Sequence, residues 1–145
     1  MKKLTPKKRK EIWDRFKDFQ TIYLATDDLG TPRVRPVTLC VLDGKLWILT
    51  GTKDVKVGQL AKNPRFEFCL TLPEGKNSGY LRISGKSKMV KDTKARAKVA
   101  KAAPYFSMFW KTPADPGFTL LLLEATEVEY MVPGEMTSEK YKAGM

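Results

Sequence analysis

Arg33 and Arg35 lie on one strand-like run, Thr50-Gly51-Thr52-Lys53 closes the next, and Lys56 stands at the start of a short helix. Cations on a strand, hydroxyls in a loop and a helix start suit one kind of chemistry, the grip of an anion. A helix N-terminus adds free N–H groups and the positive end of its dipole, which favour a phosphate. Residues 33–64 carry the means of bringing these groups together. Two apolar runs flank Asp43-Gly44, a pair that favours a type I′ hairpin turn. Asp54 then caps a helix that stops before Pro64, with Val57, Leu60 and Ala61 on one face.

The 145 residues include no histidine. That removes Ser–His and Cys–His nucleophile pairs and imidazole metal sites. An enzyme built on this chain leaves the difficult chemistry to a cofactor. Cys40 and Cys69 sit in apolar runs at a spacing that matches no metal or redox motif, and read as reduced core thiols. Lysine and arginine number 27 against 16 acidic residues, a net charge of +11. Such an excess favours nucleic acid, acidic lipid heads or phosphorylated small molecules as partners. The charges are spread, however, and much of the excess falls in two helices, where a solvated face explains it. No apolar run approaches a membrane span; residues 118–123 fall far short. The basic N-terminus lacks the apolar stretch of a signal peptide, so the cytoplasm is the expected compartment.

The elements that must position the cations follow from the pattern. An N-terminal helix is expected within residues 1–20, with Thr5 as N-cap, Pro6 at its first position, and Ile12, Trp13, Phe16 and Phe19 as its apolar stripe. Strands are expected over 21–26, 33–42 and 45–50; Pro36 marks an edge, a bulge or a ligand-facing break. Phe66, Phe68, Leu70 and Leu72 alternate with polar residues in a strand over 65–72. A loop over 73–79 leads to a long strand from Tyr80 to about Lys91. Asp92 caps a helix with Ala95, Val99 and Ala102 inward, ended by Pro104. An aromatic segment, 105–110, and a turn precede a last strand over 118–131. The tail, 132–145, reads as loosely ordered. Six strands joined mostly as neighbours, with small helical insertions, predict one domain over 1–145: an antiparallel barrel with helices outside.

These residues resemble the flavin-binding split barrels related to pyridoxamine 5′-phosphate oxidase, particularly the general-stress-protein branch. The matching pieces are Ala25-Thr26, Arg35-Pro36-Val37, Asp43-Gly44-Lys45-Leu46-Trp47, Thr50 with Lys56, Gln59-Leu60 and Asn63-Pro64. Ile83-Ser84-Gly85, Phe109-Trp110, Asp115-Pro116 and a Leu-rich strand follow in order. The resemblance implies a mainly β fold with α, a six-stranded antiparallel split β-barrel with peripheral helices. It also implies a homodimer with FMN at the subunit interface and a small-molecule oxidoreductase activity with a small donor and acceptor. By position, Arg35 and Lys56 correspond to phosphate ligands, with Lys53 beside them. Pro36, Val37 and Thr38 correspond to the strand lining the flavin ring, Leu49 and Thr50 to the facing strand end, and Tyr80 to a possible flavin contact. Trp110 reads as core. Phe66, Phe68, Tyr80 and Phe118 offer more apolar surface than one small interior hides, which also suits a homodimer.

Two departures accompany the resemblance. Many relatives carry serine where this chain has Asp54, whose carboxylate would cap the helix but repel a phosphate. After Met131 the chain shows no arginine- and tryptophan-bearing segment of the kind true oxidases use, so authentic pyridoxamine-phosphate oxidation is not expected. Other occupants of the same fold are a deazaflavin coenzyme, which suits the basic charge, or heme, which the missing histidine disfavours. A reading of another class is a basic barrel that binds nucleic acid. The sequence does not identify a physiological substrate or electron donor.

Overall fold

The computed structural model describes residues 1–143. Helix α1 spans Pro6–Trp13, with the Thr5 side chain accepting from the Lys8 N–H at 3.1 Å. It is shorter than expected. The Arg15 and Phe16 N–H groups turn back to the carbonyls of Ile12 and Trp13, so the backbone tightens after Trp13 and leaves the helix. Three-residue spacing serves tight turns as well as helices, which is why the stripe read as one element. Ile12 is buried in the main core with Trp13 and Phe16 packed on it, whereas Phe19 opens a strand.

Six strands make the barrel: β2 (Phe19–Asp28), β3 (Thr31–Leu42), β4 (Lys45–Gly51), β5 (Arg65–Glu74), β6 (Asn77–Met89) and β7 (Phe118–Met131). The hydrogen-bonded order β7-β4-β3-β2-β5-β6 closes on itself through antiparallel pairing of β6 with β7. The ring is narrow at two seams. β2 meets β5 only at residues 23–25, and β3 meets β4 only at residues 40–42. Residues 31–39 of β3 therefore have a partner on the β2 side alone. Pro36 lies in this half-free stretch, where a missing N–H disrupts no ladder. Asp43 and Gly44 both adopt positive φ, 56° and 65°, as a type I′ turn requires. The expected loop over 73–79 is instead a tight hairpin in which Glu74 pairs with Asn77 across Gly75 and Lys76.

Two short strands escape the sequence pattern. β1 (Lys2–Lys3) pairs in parallel with β8 (Glu139–Lys142), which runs antiparallel to β7. The tail is therefore ordered through Ala143, with Tyr141 and Ala143 buried. Two inward residues are too few to show an alternation. Gly144 and Met145, the end of the expected tail, lie outside the described residues.

The main core fills the barrel and extends beneath α1. A second cluster lies outside it, where α3 (Thr93–Ala102) and the aromatic segment cover Cys40, Trp47, Leu49 and Phe118. On α3, Val99 and Ala100 are buried, while Ala95 and Ala102 are only half-buried. Cys40 is core, and burial pushes its thiol up to about 11. Cys69 is half-buried on the outer side of β5 rather than in the core. Phe66, Phe68 and Phe118 are all buried within the single chain, so they do not supply the surplus apolar surface expected of them. The uncovered apolar groups are elsewhere, notably Tyr23 and Val34 on the barrel wall and Met108 and Phe109 in the aromatic segment. Among the described residues no helix is long and apolar enough to cross a membrane.

Candidate functional site

Helix α2 (Val55–Lys62) begins where β4 ends, and the link between them is pinned. The Thr52 N–H donates to Gly117 O at 2.9 Å, and the Asp54 N–H to Gly51 O at 3.0 Å. Thr52 Oγ1 donates to Pro116 O at 2.7 Å; its single proton is thereby used, so Thr119 is the donor in their 2.9 Å contact. The loop hydroxyl thus holds the link in place. Asp54 caps α2: its Oδ1 accepts from the Lys56 N–H at 3.2 Å and from Lys56 Nζ at 3.1 Å. Lys56 is buried although charged, as Val57 and Leu60 draw that face of α2 inward. Desolvation raises the Asp54 pKa, but the hydrogen bonds and charge of Lys56, with the charge of Arg35, outweigh it and leave the carboxyl below its ordinary range.

Arg35 extends from the half-free stretch of β3. Its Nη1 donates to Thr26 Oγ1 at 2.9 Å and to Leu24 O at 3.2 Å, and its Nη2 to Gln59 Oε1 at 2.9 Å. Thr26 Oγ1 in turn donates to the same Gln59 oxygen at 2.6 Å. Desolvation pulls the guanidinium below its ordinary pKa, and Asp54 opposes that shift. Two strands and a helix thus fix one arginine in orientation. Asp54 is the group whose charge both Arg35 and Lys56 feel.

A cavity of about 430 Å³ opens beside this cluster. One wall is Pro36, Val37 and Thr38 of β3 with Ile48 and Leu49 of β4, and Lys56 lies at its edge. Tyr105, Met108, Phe109 and Trp110 form the opposite wall. Trp110 is held from behind by its Nε1–H donating to Gly117 O at 3.0 Å and by Phe118 at 5.0 Å between ring centroids. The structure therefore brings Pro36, Val37, Thr38, Leu49 and Lys56 to one cavity. Arg35 does not line it; its guanidinium is tied into the Thr26–Gln59 network. Thr50 is buried and Lys53 is exposed, and neither lines the cavity.

Within one chain Tyr80 is not at this cavity. It lines a separate depression with Tyr23, Ala25, Val34 and Cys69. Its hydroxyl donates to Glu129 Oε2 at 2.6 Å, and Arg82 pairs with the same oxygen. These bonds hold the nearly buried Glu129 carboxyl below its ordinary range. Sequence reasoning missed the roles of Thr26, Gln59 and Tyr105. An amide on the inward face of α2, beside Lys56, was the available signal for Gln59.

The sequence profile of pyridoxamine 5′-phosphate oxidase matches residues 9–132. The chain belongs to the pyridoxamine 5′-phosphate oxidase family. No curated protein matches it. Solved structures do, at identities that speak to the fold alone. A NimC/NimA family protein from Clostridium acetobutylicum is 22% identical with a TM-score of 0.74, over 92% of this chain and 90% of that one. A pyridoxamine 5′-phosphate oxidase-related, FMN binding protein from Nostoc punctiforme is 21% identical with a TM-score of 0.68, over 91% and 81%. General Stress Protein 26 from Bacillus anthracis is 17% identical with a TM-score of 0.67, over 92% and 97%. At this cavity the member described here pairs Lys56 with Asp54 at the start of α2.

Proposed function

We propose that this chain binds FMN in the cavity between β3, β4 and the aromatic segment, and that it serves as a small-molecule oxidoreductase. The observation that carries this reading is the half-free stretch of β3 facing an apolar cavity that Lys56 lines, with Arg35 bonded to Gln59 on the same helix as Lys56. A flavin ring is flat, apolar on its faces and polar at its rim. Pro36, Val37, Thr38 and Leu49 offer an apolar surface to the face, and the unpaired side of β3 offers backbone groups to the rim. Arg35 is held in orientation by Thr26 and Gln59, which suits it to a phosphate. Lys56 would exchange its bond to Asp54 for one to the phosphate. Bound flavin would supply the chemistry that the side chains lack, taking up a hydride or electrons from a reduced donor and passing them on. The residues themselves bind, orient and exclude water; no general acid or base is assigned.

The reading includes a homodimer with flavin between subunits. Tyr23 and Val34, 45% and 69% exposed, lie by the depression that holds Tyr80, a face poorly suited to water. Tyr80 could meet a flavin only across such an interface. The test is titration of FMN and riboflavin into wild type, Arg35→Ala and Lys56→Ala. Each variant is expected to weaken FMN by about 1.5–3 kcal/mol, a charge-assisted hydrogen bond, and to leave riboflavin nearly unchanged. Equal losses for the two ligands would remove both residues from the phosphate site.

A further inference from the structure

The phenolic oxygen of Tyr105 is buried and has no hydrogen-bond partner among the described residues. Such orphans are rare, because a desolvated hydroxyl that makes no bond is a net loss to folding. The ring itself is well placed. It stands edge-on to Phe19, 5.9 Å between centroids, and packs on the cluster that holds Cys40 and Leu49. For that packing, phenylalanine would serve better than tyrosine. Tyr105 also lines the cavity assigned above to the flavin ring. Three and four residues further on, Met108 and Phe109 form the same wall and are 75% and 66% exposed, with Phe109 resting on Trp110 at 5.5 Å between ring centroids. Burial pushes the phenol up to about 12, which keeps it protonated, a donor, at any working pH.

We propose that Tyr105 is a ring-recognition residue of this site. Its O–H is kept for a carbonyl or ring-nitrogen acceptor on the polar rim of the bound flavin, reached when the Met108 and Phe109 side chains shift aside. The proposal rests on the FMN reading and adds a hydrogen-bonding group to it. Assigning the hydroxyl to the ring and not to the phosphate sets a distinct expectation: its loss affects every ligand that carries the ring, with or without a phosphate.

The experiment is Tyr105→Phe, titrated with FMN and with riboflavin, alongside melting of both apo-proteins and absorption spectra of both complexes. Losing one neutral hydrogen bond is expected to weaken both ligands by the same factor, roughly five- to tenfold. The apo variant is expected to melt no lower than wild type, since only an unpartnered oxygen is removed. The near-ultraviolet flavin band should move, because the electron distribution of the ring responds to a bond at its rim. Wild-type affinity in the variant would overturn the assignment of Tyr105 alone. A lower apo melting temperature would likewise overturn it, marking the hydroxyl as structural. Failure of wild type to bind either ligand would overturn the FMN reading, and this inference with it.

Discussion

Asp54 carries two opposed tasks at the residue scale. Its carboxylate caps α2 and neutralises Lys56, the cation at the edge of the cavity. A phosphate entering there meets a lysine already paired and a carboxylate that repels it. Replacing Asp54 by serine keeps a capping oxygen and frees Lys56. Asp54→Ser is therefore expected to tighten FMN binding, most clearly at low salt, where the repulsion is least screened. The melting temperature of the apo-protein should fall at neutral pH, since serine keeps the cap but not the bond to the buried Lys56. Weaker binding in the serine form would instead make Asp54 a ligand in its own right. The pH dependence has a defined sign. Because folding lowers the Asp54 pKa, the carboxylate's stabilisation is complete above its ordinary pKa and is lost as the pH falls through the depressed one. The serine variant should lack that contribution to acid sensitivity, read as a smaller fall in melting temperature on acidification.

At the scale of elements, the barrel depends on β6 and β7 closing the ring, and the closure depends on a bulge. Register passes from Ser84–Glu127 to Gly85–Ala125, leaving Thr126 with no paired position on β6, though its hydroxyl donates to Ser84 O at 3.3 Å. A side chain at Gly85 would place its Cβ 1.9 Å from the carbonyl oxygen of Glu124. Both sides of that clash are backbone, so the strands must separate. Gly85→Ala is expected to cost about 3 kcal/mol, seen as a lower denaturation midpoint. An unchanged midpoint would mean that the bulge is not a constraint on closure. Much of this level was legible in the sequence. Asp43-Gly44, the alternation from Phe66 to Leu72 and the Asp54 and Asp92 caps each rest on chemistry local to a few residues. What was not legible depends on distant partners. The end of α1, and the pairing of Tyr141 with Val128, follow from how segments meet. At the site, Lys56 was readable from a helix start, whereas the Pro36–Val37–Thr38 wall entered only through the family resemblance. The Arg35–Thr26–Gln59 network was not readable, since it joins three elements, and neither was an orphan hydroxyl on Tyr105.

For the whole molecule, charge and surface bear on partners. The net charge of +11 is consistent with an anionic ligand, but it does not select FMN over another anion. Phe66, Phe68 and Phe118 are buried within the single chain and offer nothing to a partner. The proposed homodimer would instead use Tyr23, Val34 and the depression beside Tyr80. The proposed function requires the folded chain to hold FMN as a dimer. Sedimentation of the FMN-reconstituted protein, followed at once by protein and by visible flavin absorbance, tests it most directly. The account predicts one boundary of dimer mass carrying the flavin band at both wavelengths. A protein boundary with no flavin absorbance, or a monomer that carries flavin, would contradict it.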